Sequence, residues 1–210
     1  MVYWVFDQMG KAELQQWVDA NPGRIDDRDS EGITPLFATA YNRKSLSLVE
    51  WLLDEKGADV NARADFGLTA THAARSLDIL NALCSRGADP TLSGVPRGRT
   101  PLMCHVAGMY ELVSMIESNL KDPNEAVGMV ARLLEDPRVR GTIDVQDRDG
   151  NTALHHACDA DDIKTITPKT HLLLKAGANP TITNESGETI LDLIQQYRRT
   201  NHVAVALEQD

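Results

Sequence analysis

The chain has 210 residues, 42% of them hydrophobic and 25% charged, an ordinary balance for a soluble protein and enough length for one elongated domain or two compact ones. A net charge of −10 repels the phosphate backbone and anionic lipid at long range, so general nucleic-acid or membrane-surface binding is not expected. No apolar run reaches the roughly 18 residues that cross a bilayer, and Met1 to Phe6 lack the basic flank and long apolar core of a secretory signal.

In chain order, Val2 to Gln8 reads as a truncated first helix and Lys11 to Ala20 as its partner, stopped by Asn21-Pro22-Gly23. Tyr3, Trp4, Phe6 and Trp17 are expected to pack at the seam with the next unit, the alternative being an exposed aromatic surface. Thr34-Pro35 then signals a helix start, because the threonine hydroxyl caps free amides and proline tolerates the first helical position. Leu48, Val49, Leu52 and Leu53 follow at helical spacing, up to a left-handed cap at Gly57. The next unit turns between helices at Arg75-Ser76-Leu77-Asp78 and ends at Gly87. After Thr100-Pro101 the pattern predicts a long helix from Cys104 to Asn119, a turn at Lys121 to Asn124 and a helix from Glu125 to Leu134 broken by Pro137. Beyond Thr152, an acidic cluster at Asp159, Asp161 and Asp162 leads through a connection ending at Pro168 into a helix carrying Leu172 to Leu174, capped at Gly177. The chain closes on Gly187-Glu188-Thr189 and runs out through Asn201 to Leu207.

These units share a period. Turn glycines stand at Gly32, Gly67, Gly98, Gly150 and Gly187, at intervals of 35, 31, 52 and 37, and each is followed by one variable residue and a threonine. Next come Pro35-Leu36-Phe37, Ala70-Thr71-His72, Pro101-Leu102-Met103, Ala153-Leu154-His155 and Ile190-Leu191-Asp192, and units end in Gly57-Ala58-Asp59, Gly87-Ala88-Asp89 and Gly177-Ala178-Asn179. The pattern closely resembles the ankyrin repeat. The resemblance implies an all-α solenoid of stacked helix-turn-helix units with projecting β-turns or short hairpins. Spread over residues 1–210 as a single domain, the units are a partial N-terminal cap at 1–28, repeats at 29–63, 64–94, 95–146 and 147–182, and a C-terminal cap at 183–210. The third carries extra length at about 114–140, either a benign elaboration or a second contact surface.

On the same resemblance, His72 and His155 occupy a position whose ring bonds the turn backbone and holds adjacent repeats. The partner-binding face is then the concave one made of turn tips and first helices. Its variable positions are Glu31, Ile33, Tyr41, Asn42, Asp65, Phe66, Leu68, Arg97, Arg99, Arg148, Asp149, Asn151 and Asp159. Aromatic or arginine anchors would supply most of the affinity there, while acidic residues steer a partner with a basic or mixed-charge segment.

Chemistry of other kinds finds little purchase in the residues. Gly-x-Gly-x-x-Gly, Gly-x4-Gly-Lys-Ser/Thr and Gly-x-Ser-x-Gly are missing, so the common phosphate cradles and the nucleophile elbow are not expected. Cys104, His105, His156 and Cys158 fall at corresponding places in successive repeats but lack the Cys-x2-Cys or His-x3-His spacing of a zinc site. The three cysteines, odd in number and far apart, fit a reducing compartment, the cytoplasm or the nucleus. The expectation is a monomeric, non-enzymatic protein-interaction module or scaffold without cofactor or metal. The alternative is a regulatory or targeting domain that contacts a larger enzyme assembly through 114–140.

Overall fold

The computed structural model describes residue 6 and residues 9–42, 45–94, 97–107, 123–158 and 163–196. These form helices joined by turns, with no β-strand among the described residues. The chain divides into two compact units, residues 1–96 and 97–210.

In the first unit α1 spans Lys11–Ala20, α2 Pro35–Tyr41, α3 Leu46–Glu50, α4 Ala70–Ala73 and α5 Leu77–Ser85, and α3 runs on into a π-turn over Trp51–Glu55. First helix packs on first helix, α2 against α4, and second on second, α3 against α5. That arrangement follows from the sequence, since each two-helix unit has an apolar stripe that it cannot cover alone. Leu36, Leu48, Leu52, Leu80 and Leu83 fill the seam and are fully buried. Each stabilises the stack by about 1.5–3 kcal/mol through removal from water.

The local signals act as the residues predict. The Thr34 hydroxyl accepts from the Phe37 amide at 3.2 Å to open α2, and the Ser76 hydroxyl accepts from the Ile79 amide at 3.2 Å to open α5. Both second helices leave through a left-handed glycine, Gly57 at φ +72° and Gly87 at φ +86°. The next amides, of Ala58 and Ala88, fold back onto the carbonyls of Leu52 and Leu83 at 2.9 and 3.1 Å. At the N-terminal end the Phe6 ring meets Trp17 edge-on at 4.7 Å, both buried, and the Phe6 amide donates to Asp29 at 2.8 Å. Those two aromatics belong to the seam; Tyr3, Trp4 and most of the helix expected over Val2 to Gln8 lie outside the described residues.

The second unit contains α6 Pro101–Ala107, α7 Pro123–Leu134, α8 Pro137–Gly141, α9 Ala153–His156 and α10 Ile163–Lys175, and is helical again over 190–196. Here α6 packs on α7 and α9, and α10 on α7 and α9. Three expectations change. Residues 123–134 are the second helix of the third repeat, with Met129, Val130, Leu133 and Leu134 buried, so that part of the 114–140 stretch serves the core. Pro137 starts a helix as well as stopping one, because Asp136 caps α8 by accepting from the Arg138 amide at 2.8 Å. Pro168 likewise sits inside α10, which begins at Ile163 and shortens the connection expected there. The rest of the helix expected as far as Asn119, the acidic cluster at Asp159, Asp161 and Asp162, and the run-out at Asn201 to Leu207 lie outside the described residues.

Candidate protein-interaction surface

Three of the projecting turns share one construction. In the first repeat the Asp29 amide donates to the Ile33 carbonyl at 3.0 Å and the Gly32 amide to the Asp29 carbonyl at 3.1 Å. The Asp29 carboxylate closes the loop by accepting from the amides of Glu31 and Ile33, both at 2.9 Å. Asp147 repeats this with Asp149 and Asn151, and Asn184 with Ser186 and Glu188. One short side-chain acceptor thus satisfies two amides that the turn leaves open. Neighbouring turns are joined by single backbone bonds, Asp65 to the Gly32 carbonyl at 2.7 Å in the first unit, and Arg148 to Arg97 at 2.8 Å and Glu185 to Asp149 at 3.1 Å in the second.

A second set of latches comes from the residue four before the turn glycine. Arg28 reaches the Arg63 carbonyl at 2.9 Å and the Asp65 carboxylate at 2.9 Å. Arg63 reaches the carbonyls of Gly67 at 2.9 Å and Ser93 at 3.2 Å, and Gln146 reaches those of Gly150 at 2.6 Å and Thr183 at 2.9 Å. Sequence reasoning missed these latches, although arginine four before both Gly32 and Gly67 is a visible regularity.

This geometry sorts the residues expected to meet a partner. Glu31, Asp65 and Phe66 in the first unit, and Arg97, Arg148 and Asp149 in the second, are exposed at the tips, and Phe66 keeps 56% of its surface in solvent. Asn42, at the end of α2, and Asn151 are half-buried. Four residues must be withdrawn as exposed contacts: Ile33 and Leu68 at 3% exposure, Tyr41 at 3% and Arg99 at 4%. Ile33 and Leu68 follow the turn glycine, where the carbonyl is pinned across the turn base and the side chain enters the repeat body. Tyr41 lies parallel to Phe37 and under the Arg75 guanidinium, 4.4 Å from the ring centroid. Arg99 fills the position of Ile33 and Leu68 and is held 3.5 Å from the buried Asp147 carboxylate. Asp159 lies outside the described residues.

The histidines act on the backbone. His72 Nδ1 accepts from the Thr69 amide at 3.1 Å and His155 Nδ1 from the Thr152 amide at 3.2 Å. With Nδ1 an acceptor, the His155 Nε2 proton goes to the Glu188 carbonyl 3.1 Å away in the next repeat. His156 bonds the Asp147 carboxylate through Nε2 at 2.8 Å, and burial pushes the Cys104 thiol up to about 12, far from the thiolate a metal or a nucleophile role needs. Among the described residues no three His, Cys, Asp or Glu side chains converge as metal ligands do.

Comparison with known proteins agrees with this architecture. A family model of three ankyrin repeats matches residues 8–94 and a single ankyrin repeat matches residues 149–185. The chain is 33% identical over 160 residues to the mitochondrial disaggregase of Bos taurus, a match covering 75% of this chain and 20% of that protein. It therefore spans about one fifth of the length of that relative. Among solved structures it resembles EF0377, an ankyrin repeat protein, at TM-score 0.70 and 23% identity, over 93% of this chain and 90% of that one. A chain in the complex of the predatory endopeptidase Bd0816 of Bdellovibrio bacteriovorus with the immunity protein Bd3460 gives TM-score 0.66 and 21% identity, covering 93% and 92%. The ankyrin repeat domain of Bcl-3, of the IkappaB protein family, gives TM-score 0.62 and 24% identity, covering 87% and 72%. At these identities the solved structures speak for the fold. By its repeats, which both family models match, the chain belongs to the ankyrin-repeat proteins.

Proposed function

We propose that the protein is a non-catalytic interaction module, acting as a monomer, that binds another protein through its turn tips and the adjoining first helices. The observation carrying this is the contrast within each turn. The glycine and the two backbone bonds across the turn base hold a constant frame, while the two residues before the glycine differ from turn to turn, Ser30-Glu31, Asp65-Phe66, Arg148-Asp149 and Glu185-Ser186. The solved complex of Bd0816 with an immunity protein, which contains a chain of this fold, supports a protein as the ligand. Both signs of charge at the tips and the overall −10 suit a partner with a basic or mixed-charge segment. We place it in the cytoplasm or nucleus, where the thiols of Cys84, Cys104 and Cys158 stay reduced.

The test is capture of the native protein, identification of the protein that comes with it, and binding of that purified partner to variants. Phe66→Ala combined with Asp149→Lys should abolish binding, and Glu55→Lys on the second-helix side should leave it intact. Unchanged affinity of the double variant would sink the turn-tip assignment.

A second reading is favoured by the 33% identity to a fifth of mitochondrial disaggregase: the chain is a regulatory or targeting region that contacts a larger enzyme assembly through the 114–140 stretch. Binding that survives every tip substitution but is lost on Asn124→Lys combined with Glu135→Lys, both at exposed positions, would select it.

A further inference from the structure

We infer that the turn at Phe66 is a preorganised aromatic anchor, and that its partner is a folded protein offering an apolar pocket with a carboxylate at the rim. This rests on the interaction reading above and makes its chemistry specific.

The starting point is an exception in the turn frame. Where three of the other turns have Asp29, Asp147 and Asn184 to accept two amides, the second repeat has Ala64, which has no acceptor. The turn closes instead as a 3-10 turn over Asp65–Gly67, and Phe66 takes φ +59°, ψ 16°. Phe66 is the one non-glycine residue with positive φ among the described residues. That region crowds the Cβ of an L-residue against the following carbonyl. Burial does not offset the strain, because the ring is 56% exposed. Strain retained at an exposed aromatic is a mark of function rather than of folding.

The tip is also braced on both sides. Arg28 ties the Asp65 carboxylate and the Arg63 carbonyl, Arg63 ties the carbonyls of Gly67 and Ser93, and the Asp65 amide is bonded to Gly32. A ring on such a support loses little further freedom on binding, which is how a few aromatic residues come to dominate an interface. A rigid projecting ring is complementary to a hollow with apolar walls, and folded surfaces supply such hollows, whereas an extended peptide supplies side chains that need a groove. The rim charge follows from the arginines. Arg28 faces a carboxylate, Asp65, whereas the contacts described for Arg63 are to carbonyl oxygens, so its exposed guanidinium is open to a carboxylate of the partner.

The experiment replaces Phe66 by p-benzoylphenylalanine in the full chain, inside the cells that normally make it, with the same photoprobe at Asp149 in a parallel strain. The crosslinked protein is identified, purified, and its dissociation constant measured against variants. The expected result is a crosslink from position 66 into a pocket of a folded domain, with Phe66→Ala weakening binding at least about 30-fold and Phe66→Trp by less than about 3-fold. Arg63→Glu should weaken it by about 10-fold, and Phe66→Gly should raise the melting temperature while weakening binding, a pairing that a structural role alone does not give. A crosslink at 149 without one at 66, a crosslink at 66 into an unfolded segment, a lipid or a nucleic acid, or wild-type affinity of Phe66→Ala overturns the anchor and leaves the broader interaction reading standing. Failure at both positions overturns both.

Discussion

His156 Nε2 lies 2.8 Å from Asp147 Oδ2, with both side chains fully buried, and Arg99 Nε stands 3.5 Å from the same oxygen. The other carboxylate oxygen accepts the amides of Asp149 and Asn151 at 3.0 and 2.9 Å, so one acid holds the turn, an imidazole and a guanidinium together. Burial pushes the Asp147 carboxyl up, but the bonds from His156, Asn151 and Asp149 outweigh it and hold it below the ordinary carboxylate range. A folded value below the unfolded one means that this stabilisation is present above about pH 4 and fades as pH falls through the folded value. Asp147→Ala should cost about 3–5 kcal/mol, since it takes a buried carboxylate from Arg99 and the acceptor from His156 and two amides. Asp147→Asn should cost less, because Asn184 builds the same turn, and it should flatten the acid limb of stability. Urea unfolding at pH 6 and pH 3 checks this; an acid limb identical to wild type in Asp147→Asn would show that the loss arises elsewhere.

Gly150 is required twice over. Its φ is +75°, and a Cβ at this position would stand 2.6 Å from the backbone nitrogen of Glu185. That backbone is held by the Glu185 to Asp149 bond, so it cannot retreat without loosening the next turn. Gly150→Ala should therefore cost more than the roughly 1–2 kcal/mol of the left-handed conformation alone. Gly57, also at positive φ but with open space where its Cβ would go, provides the control: Gly57→Ala should cost only the conformational part, as thermal unfolding of the two variants would show.

The fold was legible because the repeat writes the same physical instruction several times. A glycine at positive φ, a threonine cap and a glycine exit recur at readable spacing, and each works as its chemistry demands. The surface was only half legible. Variability alone does not tell a projecting side chain from one folded under the turn, and so Ile33, Leu68 and Arg99, which follow the glycine, were grouped with the tips before it. Arg99 misleads further, since a charged residue reads as exposed until its buried partner Asp147 is seen, and that partner lies 48 residues on. Tyr41 is covered by Arg75, from the neighbouring repeat, a contact that no local window contains. The bend of Phe66 was hidden for a different reason: it follows from what Ala64 lacks.

The threonine caps allow a substitution test. Thr152 Oγ1 accepts from the His155 amide at 3.4 Å while His155 Nδ1 accepts from the Thr152 amide, a reciprocal pair at the start of α9. In the last repeat Asp192 replaces the histidine and its carboxylate accepts from both the Thr189 amide and hydroxyl, at 2.9 and 2.6 Å. Those bonds, the hydroxyl first, hold the Asp192 carboxyl below its usual range. Thr152→Ala should cost about 1–2 kcal/mol, in the range of capping losses. Asp192→His should preserve the cap and Asp192→Ala should fray residues 190–196, read as faster amide exchange at positions 192 and 193 with the rest of the unit unchanged.

The turn of the second repeat gives a prediction that separates folding from binding. Ala64→Asp supplies the acceptor that Asp29 and Asp147 provide in their own turns, and the amides of Phe66 and Leu68 become its donors. The turn then no longer needs Phe66 at φ +59°. Release of that conformation should raise stability by about 1 kcal/mol. Phe66→Gly removes the same strain by a different route, gaining about 0.5–1 kcal/mol once the extra freedom of glycine in the unfolded chain is deducted. If both act on one strained residue their gains cannot add, and Phe66→Gly in the Ala64→Asp background should contribute nothing further. A double-mutant cycle of urea unfolding reads this directly, and additive gains would mean that the left-handed Phe66 is not the source of the strain.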